Sequence, residues 1–282
     1  MRTFFGKLAN SFGIPINPAT EDKQDDVIAG INGEDMRDFF NQIVRGKITG
    51  MSRINLVGHN PDVDPGVEET IWEQGGLYTY LTANTTLKAS SSSASDVGNV
   101  ILAIGVRKDD NGDYESVVRT ATLDGQNKVT FSGDIFRLNF IAVLTAGKNI
   151  GDVYAYEDDT IAGGVPDTVS KIKCKMLADR KFGTTGTLSI PNGFIAYGYN
   201  IEGTLNKGKD ANLFYKNRND PDDDFTIPPP FDIVEGQFVL SNIGGAEAPG
   251  NTDIELSYTT NFSDSSVSTA QRYFLIDDTL TV

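Results

Sequence analysis

From Ile54 onward, apolar residues recur at every second position in short runs. TYLTANTTLKA, NVILAIGVRK, YESVVRTATL, KVTFSG and FRLNFIAVLTA are β-branched or aromatic stretches of strand length. SSSASDVG, DDNGD, DGQN and GKNIGD separate them and carry the residues that turns require. The strongest hairpin signal is DDNGDY, whose Asn111-Gly112 should join residues 101–108 to 114–123 as antiparallel neighbours. A second set of runs follows Val165-Pro166, so a boundary is expected in EDDTIAGGVPDT, dividing the β region into modules 51–165 and 166–282. The chain is therefore expected to be mainly β, with two antiparallel, jelly-roll-like β-sandwich modules. One large jelly roll with strands exchanged between the halves is the alternative. No short-period repeat points to a solenoid or propeller.

Before residue 51 the period is helical. Thr20 followed by Glu21 and Asp22 reads as an N-cap with acids in the first turn, and Gly30 and Gly33 close a short helix containing Val27 and Ile28. In EDMRDFFNQIVRG, Met36, Phe39, Phe40, Ile43 and Val44 fall at i, i+3, i+4, i+7 and i+8 before Gly46. This stripe either packs on the chain's own sheet or, with FFGKLANSF, docks on another protein. Residues 1–50 are expected to be a short helical attachment region, with those five residues binding the partner.

Composition narrows the function classes. The 282 residues suffice for a sizeable core, and 29 glycines suit a turn-rich β protein. A formal net charge of −15 opposes general nucleic-acid binding, because the same field that draws basic proteins to phosphates repels this chain. No apolar run approaches the roughly 20 residues that span a bilayer. MRTFFGKLANSFG is interrupted by Lys7, Asn10 and Ser11, so it is not expected to act as a signal peptide, and synthesis in a cytoplasm is expected. Cys174 is the sole cysteine, which excludes an intramolecular disulfide. Its alternation with lysines in KIKCKML places it on the apolar face of a strand, as a buried structural thiol.

Several short motifs occur in a telling order. The last third carries IPNG (190–193), KGKDA (207–211) with Arg218, TDIE (252–255) and LIDD (275–278). Upstream lie GHNPDVDPGVEETIWEQGGLYTY (58–80) and TATLDGQNKVTFSGDIFRLNFIAVLTAGKNIGDVYA (120–155). Together they resemble a family of virion structural proteins of tailed bacteriophages, marine ones especially. NPATEDKQDDVIAGIN (17–32) is similar to N-terminal stretches that attach tail-fibre and other virion proteins to the particle. The resemblance implies a virion component made in a host cytoplasm, binding other virion proteins, with a homotrimer as its expected oligomer. It brings no catalytic residue with it.

Candidate chemistry is sparse. Asp109, Asn111, Asp113 and Glu115 have the alternating oxygen spacing of a calcium loop, but strands rather than helices flank them, so a hairpin turn is expected and no metal. The acids Asp62, Asp64, Glu68 and Glu69 and the cluster Asp220, Asp222, Asp223 and Asp224 read as solvated loops. His59 is expected to be a turn residue whose ring bonds to backbone. With one histidine and one cysteine there is no His/Cys metal set, and no nucleophile elbow or P-loop occurs. Trp72, Tyr78 and Tyr197, with Tyr80 and Tyr199 beside them, either fill a core or stack on sugars. The expected function is a non-enzymatic virion structural protein without cofactors, as capsid decoration or a head or tail appendage. The alternative is a host-surface glycan-binding module. A polysaccharide hydrolase would need two carboxylates fixed about 5–10 Å apart, and no spacing in the chain establishes such a pair.

Overall fold

A computed structural model describes residues 49–145, 147–219 and 224–279. The expected helices and the stripe Met36, Phe39, Phe40, Ile43 and Val44 lie outside the described residues. Those described are mainly β, and their helical content is one short 3-10 turn at Val169–Lys171.

Three main sheets form, all by antiparallel pairing where the register is defined. The chain begins with β1 (Met51–Val63) and β2 (Glu69–Thr70). It then builds β3 (Lys88–Ser91), β4 (Val97–Lys108), β5 (Tyr114–Asp124), β6 (Val129–Thr130), β7 (Arg137–Val143) and β8 (Val153–Tyr156). A small hairpin, β9 (Ile161–Ala162) and β10 (Val165–Pro166), precedes β11 (Ile172–Met176) and β12 (Phe182–Thr184). The last strands are β13 (Thr187–Ser189), β14 (Phe194–Arg218), β15 (Phe231–Ala248), β16 (Asp253–Thr260) and β17 (Ser265–Asp277).

Two four-stranded sheets, ordered β12-β7-β4-β5 and β11-β8-β3-β6, face each other. Ile101, Ala103, Leu138 and Ile141 of the first meet Ala89, Val153, Ala155, Cys174 and Met176 of the second in one buried cluster. Period-two alternation produces this: β5 turns Val117, Ala121 and Leu123 inward and Val118, Thr120 and Thr122 outward. The Asn111-Gly112 hairpin forms as expected, with Lys108 opposite Tyr114 and Gly112 at φ +89°.

The third sheet has seven strands, ordered β1-β17-β14-β16-β13, with β15 on β14 and β2 on β16. It encloses its own cluster, including Leu56, Ile71, Leu188, Ile201, Leu213, Ile254, Leu256, Val267 and Tyr273. The expected boundary at 165/166 does not coincide with this organisation. Strands β1 and β2 belong to the seven-stranded sheet, while β11 and β12 complete the two facing sheets. The facing pair, β3 to β12, is thus inserted between β2 and β13. Gly163-Gly164, which reads as a linker, is instead the tight turn of β9-β10, with φ of +56° and +79°. Ser90 Oγ donates to Gly164 O at 2.7 Å and fixes that turn against β3.

Candidate functional site

The aromatic residues proposed for sugar stacking are largely consumed by packing. Trp72 and Tyr78 are 2% and 8% exposed, and Trp72 Nε1 donates to Gly76 O at 2.9 Å. Edge-to-face contacts run from Trp72 to Tyr78 (5.1 Å) and from Tyr78 to Tyr80 (4.9 Å), in a cluster with Tyr154, Tyr156 and Ile172. Neither Trp72 nor Tyr78 has a free ring face for a ligand. Tyr197 on β14 is exposed and stands opposite Glu247. The side chain of Tyr199 lies outside the described residues.

The motif residues Arg218, Asp253 and Glu255 meet in a buried ionic network. Asp253 on β16 accepts from Arg137 Nε (2.9 Å), from Arg218 Nε and Nη2 (3.1 and 3.0 Å) and from Ser189 Oγ (2.6 Å). Tyr114 Oη reaches the same carboxylate at 3.3 Å. The guanidinium of Arg137 also stacks on Phe136 at 3.8 Å, and that of Arg218 lies over Tyr80 and Phe225. Next to it, Glu255 accepts from Tyr80 Oη (2.8 Å) and Thr70 Oγ1 (3.3 Å) and faces Lys216. Burial pushes the Glu255 carboxyl above the usual range, and Lys216 and the Tyr80 hydroxyl pull against that shift. The network ties β5 and β7 of the facing sheets to β13, β14 and β16. Its groups are saturated by one another, which is the arrangement of a structural clamp.

The described acidic loops bond to their own backbone and to neighbouring side chains. Asp109 Oδ1 accepts from the backbone N–H of Asn111 and Asp113, Asp113 Oδ1 accepts from Asn251 Nδ2, and Glu115 pairs with Arg107. Glu69 is buried, taking N–H groups of Asp64 and Gly76 and the amide of Asn60. Glu68 pairs with Lys216. Asp220, Asp222 and Asp223 lie outside the described residues. Among the described residues, no group of three or more His, Cys, Asp or Glu side chains has metal-binding proximity.

Cys174 is fully buried, and burial pushes its thiol well above the ordinary range. Its neighbour Lys173 is buried too, against the expected alternation, because a register shift between Ile172 and Cys174 turns it inward. Its ammonium donates to Thr79 O and Ser170 O and pairs with Glu157 at 2.8 Å. Desolvation lowers its pKa.

One cleft gathers groups from distant parts of the chain. It holds about 460 Å³, and His59 of β1, Glu73, Arg180, Phe182 of β12, and Glu202 and Thr204 of β14 line it. His59 Nδ1 lies 3.0 Å from Glu73 Oε2. The expected backbone bond of a turn histidine is absent, since residue 59 sits inside β1 and its ring meets a carboxylate. Glu202 is paired with Arg272, whereas the guanidinium of Arg180 has no ion-pair partner among the described residues. Phe182 is 59% exposed and belongs to no apolar cluster among the described residues. Sequence reasoning passed over Arg180 and Phe182, because DRKFG shows neither a periodic pattern nor a known motif.

No helix among the described residues is long and apolar enough to cross a membrane. No protein-family model and no curated protein matches the chain. Eleven chains of solved structures do match. Among them, the structure of infectious bursal disease virus Gt strain has 11% identity, covers 82% of this chain and 74% of the other, and superposes with a TM-score of 0.26. That of the Gx strain has 11% identity, covers 82% and 73%, and superposes with a TM-score of 0.27.

Proposed function

We propose that this protein is a non-enzymatic structural component of a virion, of the tailed-phage kind its motifs resemble, which works by joining other particle proteins. The observation that carries this reading is the outer strand β15. It is 18 residues long and pairs antiparallel with β14, and among the described residues no strand pairs with its other side. Val234 and Val239 on it are 66% and 61% exposed. A long, unpaired edge with exposed β-branched residues is a template for strand addition, which monomeric proteins usually blunt. In support, the sole cysteine is buried, and the acids Asp253, Glu255 and Glu69 are committed to structural partners.

On this reading the facing four-stranded sheets serve as a jelly-roll-like module, and the role is capsid decoration or a head or tail appendage. Self-assembly as a trimer and attachment through residues 1–50 are its finer parts. Gold-labelled antibody against the chain on purified particles tests the placement. Light scattering of wild type beside Val234→Lys and Val239→Lys tests the edge. Labelled particles and self-association lost in the lysine variants are expected. Unlabelled particles would refute the virion role, and unchanged association in both variants would refute the edge.

A further inference from the structure

We propose that the cleft between β1, β12, β14 and β17 binds a neutral hexopyranose. This does not rest on the assembly reading, and the two fail separately: particle labelling reads one and ligand contact reads the other.

A pyranose has one apolar C–H face and an equator of hydroxyls that both donate and accept. Its complement is an exposed aromatic ring flanked by polar groups with unused hydrogen-bonding capacity, in a concave site. The cleft has these parts. Phe182 presents more than half of its surface, at 59%, in a cleft that Val57 and Ala270 line beside the polar and charged His59, Glu73, Arg180 and Glu202. Glu73 uses Oε2 on His59 Nδ1, leaving Oε1 and the imidazole Nε2 without partners among the described residues. The Arg180 guanidinium has no ion-pair partner among the described residues, and Thr184 and Thr204 add hydroxyls. A carboxylate accepts from two vicinal hydroxyls, and a guanidinium donates to two vicinal oxygens.

Charge argues against anionic ligands. Glu73 and Glu202 offset Arg180 and Arg272 locally, and the whole chain carries −15. A volume of about 460 Å³ suits a small ligand and lies within the range of ordinary ligand pockets. This relocates sugar recognition from Trp72 and Tyr78, which are buried, to Phe182, which is not.

Saturation-transfer-difference NMR on the full chain is the test, with millimolar methyl β-galactopyranoside, methyl β-glucopyranoside and N-acetylglucosamine as probes. Transfer to the ring C–H protons of at least one probe is expected. Phe182→Ala should weaken binding about 3- to 10-fold, the worth of one aromatic contact, and Glu73→Gln should weaken it too. Phe182 is exposed, so its variant should fold, and a melting temperature close to wild type confirms it. A loss of transfer in either variant places the sugar in the cleft. The absence of transfer to all three probes from the wild type, or undiminished transfer from both variants, overturns the assignment.

Discussion

Removing the carboxylate of Asp253 should cost more than any other single surface-preserving change, and it should also divide the unfolding transition. The side chain is 1% exposed and holds Arg137 and Arg218, themselves 4% and 11% exposed. Asp253→Ala strands two buried guanidinium groups and frees the hydroxyls of Ser189 and Tyr114. Breaking a buried ion pair by deleting one partner costs about 3–5 kcal/mol. The lower end applies, because Arg137 keeps the carbonyl of Phe136 (3.1 Å) and its ring, and Arg218 keeps the rings of Tyr80 and Phe225. About 3 kcal/mol corresponds to a fall in Tm of about 6–12 °C, using the slope for domains of about 150–250 residues.

The same carboxylate joins the facing sheets to the seven-stranded sheet, whose apolar clusters are separate. Its loss should let one unfold before the other. Urea unfolding followed by far-ultraviolet circular dichroism and by fluorescence of Trp72 reads this, since the only tryptophan packs with Tyr154 and Tyr156 of β8. Coincident midpoints in the wild type and separated midpoints in Asp253→Ala are expected. A destabilisation below about 1 kcal/mol with coincident transitions would refute the clamp, since that is the scale of an exposed pair.

Gly164→Ala should cost more than Gly112→Ala. Both have positive φ, but a Cβ at 164 would lie 1.8 Å from Ser91 O, whereas nothing lies within 4 Å at 112; thermal melts should show about 1–2 kcal/mol for Gly112→Ala and a larger loss for Gly164→Ala. Gln271 is fully buried with neither amide atom hydrogen-bonded, so Gln271→Met should stabilise by about 1–3 kcal/mol, and a lower urea midpoint would contradict the unmet amide. Asp159 is held down to about 2, first by the Lys171 ammonium and then by Thr168, from an ordinary value of 3.8. Its contribution is therefore complete above about pH 4 and is lost as pH falls toward 2. In Asp159→Asn the difference from wild type should shrink over that window, and a difference that stays constant in acid-unfolding curves would remove the linkage.

The parts of the fold legible from sequence are those set by local pattern. The β4-β5 hairpin follows from alternation around Asn111-Gly112, and the burial of Cys174 from the alternation of KIKCKML, in which Lys173 is the exception. Pairing between distant strands has no such signature. Glu69 of β2 lies opposite Tyr258 of β16, and nothing near either residue encodes the other. The strand order therefore crosses the boundary expected at Val165-Pro166, because the preceding Gly-Gly looks alike as a linker and as a hairpin turn. The extent of strand β14 is hidden for a related reason. Its glycines look like breaks, yet register shifts between Gly198 and Asn200 and between Leu205 and Asp210 absorb the irregularity in one 25-residue strand. The cleft was illegible because its groups come from β1, β12 and β14 and the segment after β2. Singly, each is an ordinary surface residue.

Charged residues inside strand motifs invite a chemical reading, and Arg218, Asp253 and Glu255 show why it can mislead. Alternation puts Asp253 and Glu255 on one face of β16, and antiparallel register sets Arg218 opposite Asp253 and Lys216 opposite Glu255. Each acid thus meets a base on the neighbouring strand before any ligand is considered. Burial then makes the pairs exacting, because an ion removed from water needs its full set of partners, and Arg137, Ser189, Tyr114, Tyr80 and Thr70 complete them. A site that binds something else must keep capacity in reserve. Among the described residues that reserve lies at Arg180, Phe182 and Glu73, which no motif marks, and along the side of β15 that no described strand pairs.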